Sequence, residues 1–464
     1  MKFNQLLVAV CALVMGGVYA PESKATRSGA IGSPPGSVPI QFAKYQIESA
    51  FRTEGVTVFD VQNTGVLNIV TRQYWYEWPP SVSTRHEISQ PRTWNPLTEY
   101  SDSYADFPMD VDGDGWMDFI AVPRQGEDIY WYRNPQGVDR RWDAFLIARN
   151  YAGERPIMAD LFGDGQRELV FTTQGPTQLV WAVPGDDPTQ PWPTVPISDP
   201  NVSYVGTDVH GLGSGDVNGD GRLDLILAAG WFEGPADPTQ SSWVFHAEDW
   251  LPPNCHNNPY PASSCCSSDM DAFDANGDGL ADIICTNPHG RGRFLLLQGP
   301  GDTWTAQLID IDYSESHVVN LVDLGADGNK YLVTGKRKWA HGTGGEGAGE
   351  PAVLYYYKLR MEGSDVVFDR FDIDPEQTSG VGIQTVVRDM NGDGKPDIVM
   401  SNKTGLYYFE QLNPDLPFGL GLLRLTPSGR SKVNRSQFLR LVFSNQPTHR
   451  IEGLGQKMRA AWFK

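Results

Sequence analysis

Residues 110–118 read Asp-Val-Asp-Gly-Asp-Gly-Trp-Met-Asp, and the same nine-residue pattern returns along the chain. It recurs as DLFGDGQRE from Asp160, DVNGDGRLD from Asp216, DANGDGLAD from Asp274, DLGADGNKY from Asp323 and DMNGDGKPD from Asp389. A degenerate relative, DVQNTGVLN, starts at Asp60. Successive starts lie 50, 50, 56, 58, 49 and 66 residues apart. A period near 50 residues marks one supersecondary unit used repeatedly, each copy too small to bury a core alone.

Each unit reads as four short strands. The Asp-rich loop is followed by an apolar run such as Asp118-Phe-Ile-Ala-Val or Asp397-Ile-Val-Met, then by an aromatic run such as Ile129-Tyr-Trp-Tyr or Val353-Leu-Tyr-Tyr-Tyr. Several units close with a fourth run, as at Trp142–Ile147 and Trp304–Ile309. Short β-branched and aromatic runs bounded by Gly, Pro and Asp are strand signals, and no window carries a sustained helical stripe. The expectation is an all-β, seven-bladed β-propeller with four-stranded antiparallel blades over residues 38–411. The last unit lacks a fourth strand. The stretch Val38–Glu48 fits that place and is expected to close the ring, which removes an exposed sheet edge.

The chain of 464 residues carries 57 acidic and 37 basic side chains, a net charge of −20. That balance excludes a nucleic-acid partner, which needs a basic face to replace phosphate counterions. Met1–Ala20 has the one-lysine, apolar, small-residue layout of a secretory signal peptide, and its apolar run is too short to span a bilayer. A secreted, extracellular monomer is expected, with a flexible segment at 21–37 and no transmembrane segment. Residues 412–464 change character, with nine Lys+Arg against two Asp+Glu, and read as a basic tail, disordered or non-native. Beyond the signal, Cys255, Cys265, Cys266 and Cys285 suit two disulfides, one of the adjacent pair joining Cys255 and the other Cys285.

The loops place oxygen ligands at positions 1, 3, 5 and 9. A calcium ion takes six to eight oxygens, and glycine at position 6 permits the tight turn that converges them. Four loops carry the full set: Asp110/Asp112/Asp114/Asp118, Asp216/Asn218/Asp220/Asp224, Asp274/Asn276/Asp278/Asp282 and Asp389/Asn391/Asp393/Asp397. About four structural Ca²⁺ sites are expected. Phe162 at position 3 and Tyr331 at position 9 weaken two further loops, and that at Asp60 retains almost no ligands.

This pattern resembles the FG-GAP/VCBS repeat family, whose members form calcium-binding seven-bladed propellers such as integrin α-subunit heads. The resemblance covers residues 50–411 and implies fold and metal but no activity. A fainter resemblance links Ser316-His317-Val-Val, the Asp323 loop and Ala352–Leu359 to the propeller of fungal aldos-2-ulose dehydratases, and it implies a carbohydrate ligand.

If each loop is a hairpin tip, the residue six positions before it lies on the opposite face. That places Glu54, Tyr104, Glu154, His210, Ser268, His317 and Ile383 around the channel mouth. His210, His317, His341, Glu154, Lys336 and Arg337 are the candidate catalytic groups. Tyr74, Arg124, Trp231, Glu233, His289, Arg291, Trp339 and Lys403 are the candidate ligand contacts. Indoles stack on sugar rings, and histidines with nearby cations suit proton abstraction beside a carbonyl or carboxylate. The expected function is binding of carbohydrate or another extracellular ligand through this face, as a lectin or adhesive module. The alternatives are a carbohydrate lyase or dehydratase using these histidines, and a protein-interaction scaffold.

Overall fold

A computed structural model describes residues 39–205, 210–239, 243–248, 266–301 and 303–412. The signal peptide, segment 21–37, Cys255, Cys265 and all but the first residue of the basic tail lie outside them. The described residues form an all-β propeller of four-stranded antiparallel blades and contain no α-helix. No helix among them is long and apolar enough to cross a membrane.

Each unit runs from an inner strand outward in chain order. The inner strands are Thr57–Phe59, Ala105–Met109, Tyr151–Ala159, Gly213–Gly215, Met270–Phe273, Asn320–Val322 and Thr385–Arg388. Five units make separate four-stranded sheets, and the other eight strands form one continuous sheet. Seven separate sheets were expected, so the count is corrected here to five plus this double one. The join is a parallel pairing in which Gly213 faces Met270 and Ser214 faces Asp271. Its cause is local. A Cβ on Gly211 would lie 2.2 Å from the Ser268 carbonyl oxygen, and one on Gly213 would lie 2.7 Å from Met270 Cβ. Only a strand without side chains there lets two inner strands come close enough to hydrogen-bond.

The N-terminal strand Phe42–Glu48 pairs antiparallel with Gly405–Gln411 and supplies the fourth strand of the last sheet. Apolar side chains fill the spaces between neighbouring sheets. Trp131, fully buried, packs with Ile120 and Tyr151 between the second and third units. Val58, Ile69 and Tyr76 of the first unit pack with Val399 and Tyr408 of the last. A disulfide links Cys266 to Cys285, as expected for that half of the pairing.

The Asp loops share one hydrogen-bond plan. In the first complete loop, Asp110 accepts from the backbone N–H of Asp114 and Gly115 at 3.1 and 3.0 Å. Asp118 accepts from Val111 N at 3.2 Å and Asn134 N at 2.7 Å, tying the loop to the next strand. The loops at Asp216, Asp274 and Asp389 repeat this plan. So does the Asp160 loop, where Glu168 takes the last place and accepts from Leu161 N at 2.8 Å. In the Asp323 loop the Tyr331 hydroxyl donates to Asp327 at 2.9 Å instead. The turn is thus held by carboxylate-to-backbone bonds wherever the ligand set is incomplete.

Gly211→Ala should force the paired inner strands apart against backbone that cannot yield. A loss of about 1–3 kcal/mol is expected in chemical denaturation. The same change at Gly344, where nothing lies within 4 Å, should be close to neutral.

Candidate functional site

Glu54, Tyr104, Glu154, His210 and His317 stand at or just before the starts of inner strands, on the face opposite the Asp loops. His289 lies between Asp282–Thr286 and Arg291–Gly299, and Arg337 and His341 lie between Tyr331–Gly335 and Leu354–Glu362. These connections end on the same face and bring groups from distant units together.

Arg337 is at the centre. Its Nε and Nη2 donate to the two oxygens of Glu54 at 2.7 and 3.0 Å, and its Nη1 donates to Glu154 Oε1 at 2.6 Å. All three side chains are buried. Tyr104 and Tyr100 cover the guanidinium, with ring centroids 5.4 and 6.0 Å away. Burial alone would raise the Glu154 carboxyl, but Arg337 and His210 outweigh it and hold the group below its ordinary range. Glu154 is therefore ionised at neutral pH.

The second oxygen of Glu154 faces imidazoles. His317 Nε2 is 3.7 Å and His210 Nε2 is 3.8 Å from Glu154 Oε2. His289 Nε2 is 2.5 Å from His210 Nε2, and the His289 and His341 rings stack at 4.3 Å. His317 Nδ1 lies 3.2 Å from the Glu315 carbonyl, so the proton sits on Nδ1 and the lone pair of Nε2 points at the cluster. Burial, with Arg337 next, pushes His317 well below the usual histidine range. Burial, with His210 and His341, brings His289 down to about 3, and burial with Arg337 brings His341 down to about 4. Glu154 Oε2, His317 Nε2 and His341 Nε2 are buried without a hydrogen-bond partner. The cluster is a set of acceptors facing one another, which is stable only when something donates into it. Ligand hydroxyls would serve. So would a divalent transition metal, whose usual ligands are imidazole and carboxylate, and His210, His289, His317 and Glu154 are the residues that could hold one.

The other sequence candidates are placed as follows. Lys336 is buried, but its ammonium turns to Ser314 Oγ at 2.6 Å and Glu315 at 3.4 Å, because successive side chains of an extended segment point opposite ways. Trp339 and Lys403 border a cleft together. Arg124 pairs with Glu127, and Arg291 with Glu346 and Glu350. Tyr74 is buried in the core beneath the guanidinium of Arg85, 4.5 Å from its ring. Trp231 is buried and stacks on His246 at 4.1 Å, while Glu233 accepts from His246. These last three sit between sheets and do not face the cluster. Glu54 stood in the expected ring of channel-face residues but was not among the candidate groups; it shares its offset from the loop with Glu154. Tyr100 carries no signal in the sequence.

On the loop face, carboxylate oxygens of Asp110, Asp112 and Asp118 lie within 4.8 Å of one another. Asp114, expected with them, turns aside, and its Oδ2 accepts from Gln136 Nε2 at 2.7 Å. The other three loops were expected to offer like sites, and that equivalence is corrected here. Among the described residues none of them gathers three carboxylates so closely. The cause is asparagine at position 3, which removes one carboxylate and adds a donor. Asn218 Nδ2 donates to Asp220 Oδ2 at 3.1 Å, and Asn276 Nδ2 donates to Asp278 Oδ2 at 3.0 Å, so each pair satisfies itself. Asp220 also pairs with Arg222. Asn391 differs, because its Oδ1 accepts from Asp393 N at 2.9 Å while its Nδ2 is buried without a partner. The end positions, Asp216, Asp274 and Asp389 with Asp224, Asp282 and Asp397, keep their bonds to backbone N–H. Burial pushes the Asp118 carboxyl up to about 8 and that of Asp397 to about 7.

No curated protein matches the chain. Among solved structures, similarity extends to an Agrocybe aegerita lectin that recognises non-reducing terminal N-acetylglucosamine, at 15% identity and a TM-score of 0.43 over 77% of this chain and 87% of that one. A thermostable family-43 glycoside hydrolase aligns at 10% identity and 0.34, over 61% and 97%. An ancestral GH74 enzyme aligns at 9% and 0.44, over 82% and 47%.

The depressed histidines set a pH dependence. A histidine kept neutral by the fold takes up its proton near pH 6.5 only when unfolded, so its stabilising contribution is present above that value and is lost as pH falls. Stability should decline as pH drops from about 6.5 toward 4, and His289→Gln with His341→Gln should flatten that slope in denaturation measured across the range.

The family model for the FG-GAP-like repeat matches residues 110–171, so this stretch, which opens with the first complete Asp loop, is an FG-GAP-like repeat.

Proposed function

We propose that the chain is a closed, calcium-stabilised, seven-bladed propeller that is secreted and acts on carbohydrate through its histidine face. The eight-stranded sheet counts as two blades joined at their inner strands, which brings the number to seven. Packing of the first unit against the last supports closure. Secretion rests on the signal-like Met1–Ala20.

Calcium fits the loop face. Two oxygens on one calcium, each at roughly 2.3–2.6 Å, are at most about 5 Å apart, and the Asp110, Asp112 and Asp118 oxygens meet that limit. Those three would hold the ion, and Asp114 would join on leaving Gln136. The three Asp/Asn loops are weaker sites, since Asn218 and Asn276 must first give up Asp220 and Asp278 and turn an amide oxygen inward. The Asn391/Asp393 loop requires the same turn of the amide without that loss. The ion supplies charge neutralisation and takes no part in reaction. Calcium at about a hundred times its Kd should add about 2.7 kcal/mol per occupied site. Melting curves in calcium against a chelator test this, and Asp112→Ala should reduce the shift more than Asn218→Ala. An unchanged melting temperature would remove calcium from the proposal.

The carrying observation for function is the group of buried, unpartnered acceptors, Glu154 Oε2, His317 Nε2 and His341 Nε2, gathered on one face. Such a group suits a ligand rich in hydroxyls. It also favours the lyase reading over simple binding, because His317 is poised as a base. Its Nε2 can take a proton from carbon beside a carboxyl or carbonyl group, and the Nδ1–H bond to Glu315 O steadies the imidazolium that results. Glu154, fixed by Arg337, stabilises that positive charge.

A panel of neutral glycans and uronate polymers, read both by binding and by the ultraviolet absorbance of an unsaturated uronate, separates the two. Absorbance that falls about 10²–10⁴-fold in His317→Ala and Glu154→Gln supports the lyase. Binding without absorbance supports a lectin. Absorbance unchanged in both variants removes the cluster as the reacting centre.

A further inference from the structure

A cleft of about 610 Å³ opens on the molecule and is bordered by Lys403, Trp339, Thr404, Tyr407, Gln46 and Lys44, among others. Its size falls within the roughly 300–1,000 Å³ of small-molecule sites. Its inner end adjoins the histidine cluster. Lys403 Nζ donates to the Trp339 carbonyl at 2.9 Å and stands 4.2 Å from the ring of Tyr100, which also covers Arg337. Trp339 is two residues from His341.

Lys403 is only 3% exposed. Yet among the described residues no carboxylate lies within salt-bridge distance of its ammonium, although every other buried lysine or arginine has at least one. One carbonyl and the faces of Tyr100 and Phe51 are its surroundings. A buried ammonium held this way is costly unless an anion completes it. Trp339 is itself unusual. Its φ is +57°, a conformation that a bulky residue adopts only when its surroundings demand it. That backbone turns the carbonyl to Lys403 and leaves the half-buried indole at the cleft wall. At the outer end, Lys44 is already neutralised by Asp374 and Glu376 at 3.0 and 3.3 Å, so the free positive charge is at the inner end alone.

We infer that this cleft is the subsite for an acidic sugar residue, whose carboxylate meets Lys403 and whose ring lies against Trp339. The inference rests on the carbohydrate reading of the histidine face and narrows it to anionic polysaccharide, with the charged residue held next to the reacting centre. Aromatic surface, amide, hydroxyl and a single cation together match a ring that carries one negative charge.

Titration calorimetry with oligogalacturonate and oligoglucuronate, each against its carboxyl-reduced neutral counterpart, tests it. The acidic forms should bind the wild-type chain at least about 10-fold more tightly, as one charge-assisted contact implies. Lys403→Met should abolish the preference, and Trp339→Ala should weaken both forms. Thermal melts confirm that the variants fold, and Lys403→Arg provides a second folded form that keeps the charge and the preference. Equal affinity for acidic and neutral oligomers, no binding of either acid, or a preference that survives Lys403→Met would overturn the inference. His317→Ala is expected to keep the binding preference, so a failed lyase assignment and a failed acid subsite give different results.

Discussion

One guanidinium holds three units of this protein to a common point. Arg337, from the sixth unit, is shared between Glu54 of the first and Glu154 of the third, separated from it by 283 and 183 residues. Removing three charges from water is expensive, and their mutual geometry has to repay it. Both nitrogen edges of the arginine are used, so neither carboxylate can turn away without stranding a buried charge. The consequence for chemistry is direct. With Oε1 of Glu154 committed to Arg337, Oε2 has only the histidines to face.

The scaffold and this cluster are separated by the length of the inner strands. On the loop face, the aspartate at position 9 bonds to backbone at both ends of its hairpin, and the first aspartate closes the turn on itself. Those bonds persist where ligands have been lost, as in the loop with Phe162. Turn formation therefore needs only part of the motif, and copies can drift in their metal ligands without losing the blade. The opposite face is free to diversify because the hairpins are fixed from the other end.

Much of this was legible in the sequence because it is periodic. The Asp loops mark strand boundaries, so counting six residues back located Glu54, Glu154, His210 and His317 on one face. The N-terminal strand followed from an absence in the last unit. What periodicity could not supply was side-chain direction. Lys336 and Arg337 are adjacent and were grouped together, yet one turns to Ser314 and the other to the centre. Asn218 and Asn276 match Asp112 in position, but an amide can donate to its neighbour where a carboxylate cannot. Tyr74 and Trp231 were read as exposed aromatics near strand ends, but aromatic side chains on inner-facing positions fill the gaps between sheets. The fused double sheet was missed for a different reason. The run Gly211-Leu-Gly-Ser-Gly reads as a weak strand, and its meaning lies in what it allows the neighbouring strand to do.

The inequality of the units bears on what kind of site this is. A ring of equivalent binding sites would need the same side chain at each matched position, but the seven positions before the loops hold Glu, Tyr, Glu, His, Ser, His and Ile. Only the third to sixth units contribute to the histidine cluster, while the ammonium of Lys403 comes from the seventh, and the first supplies Glu54. Acceptors thus gather on one side of the centre and an unpaired cation on the other, with Arg337 and Tyr100 between them. That polarity orients a ligand. An asymmetric molecule with hydroxyls at one end and an anionic group at the other can lie across the centre in one sense only, which is what a site needs if a single carbon is to meet a single imidazole.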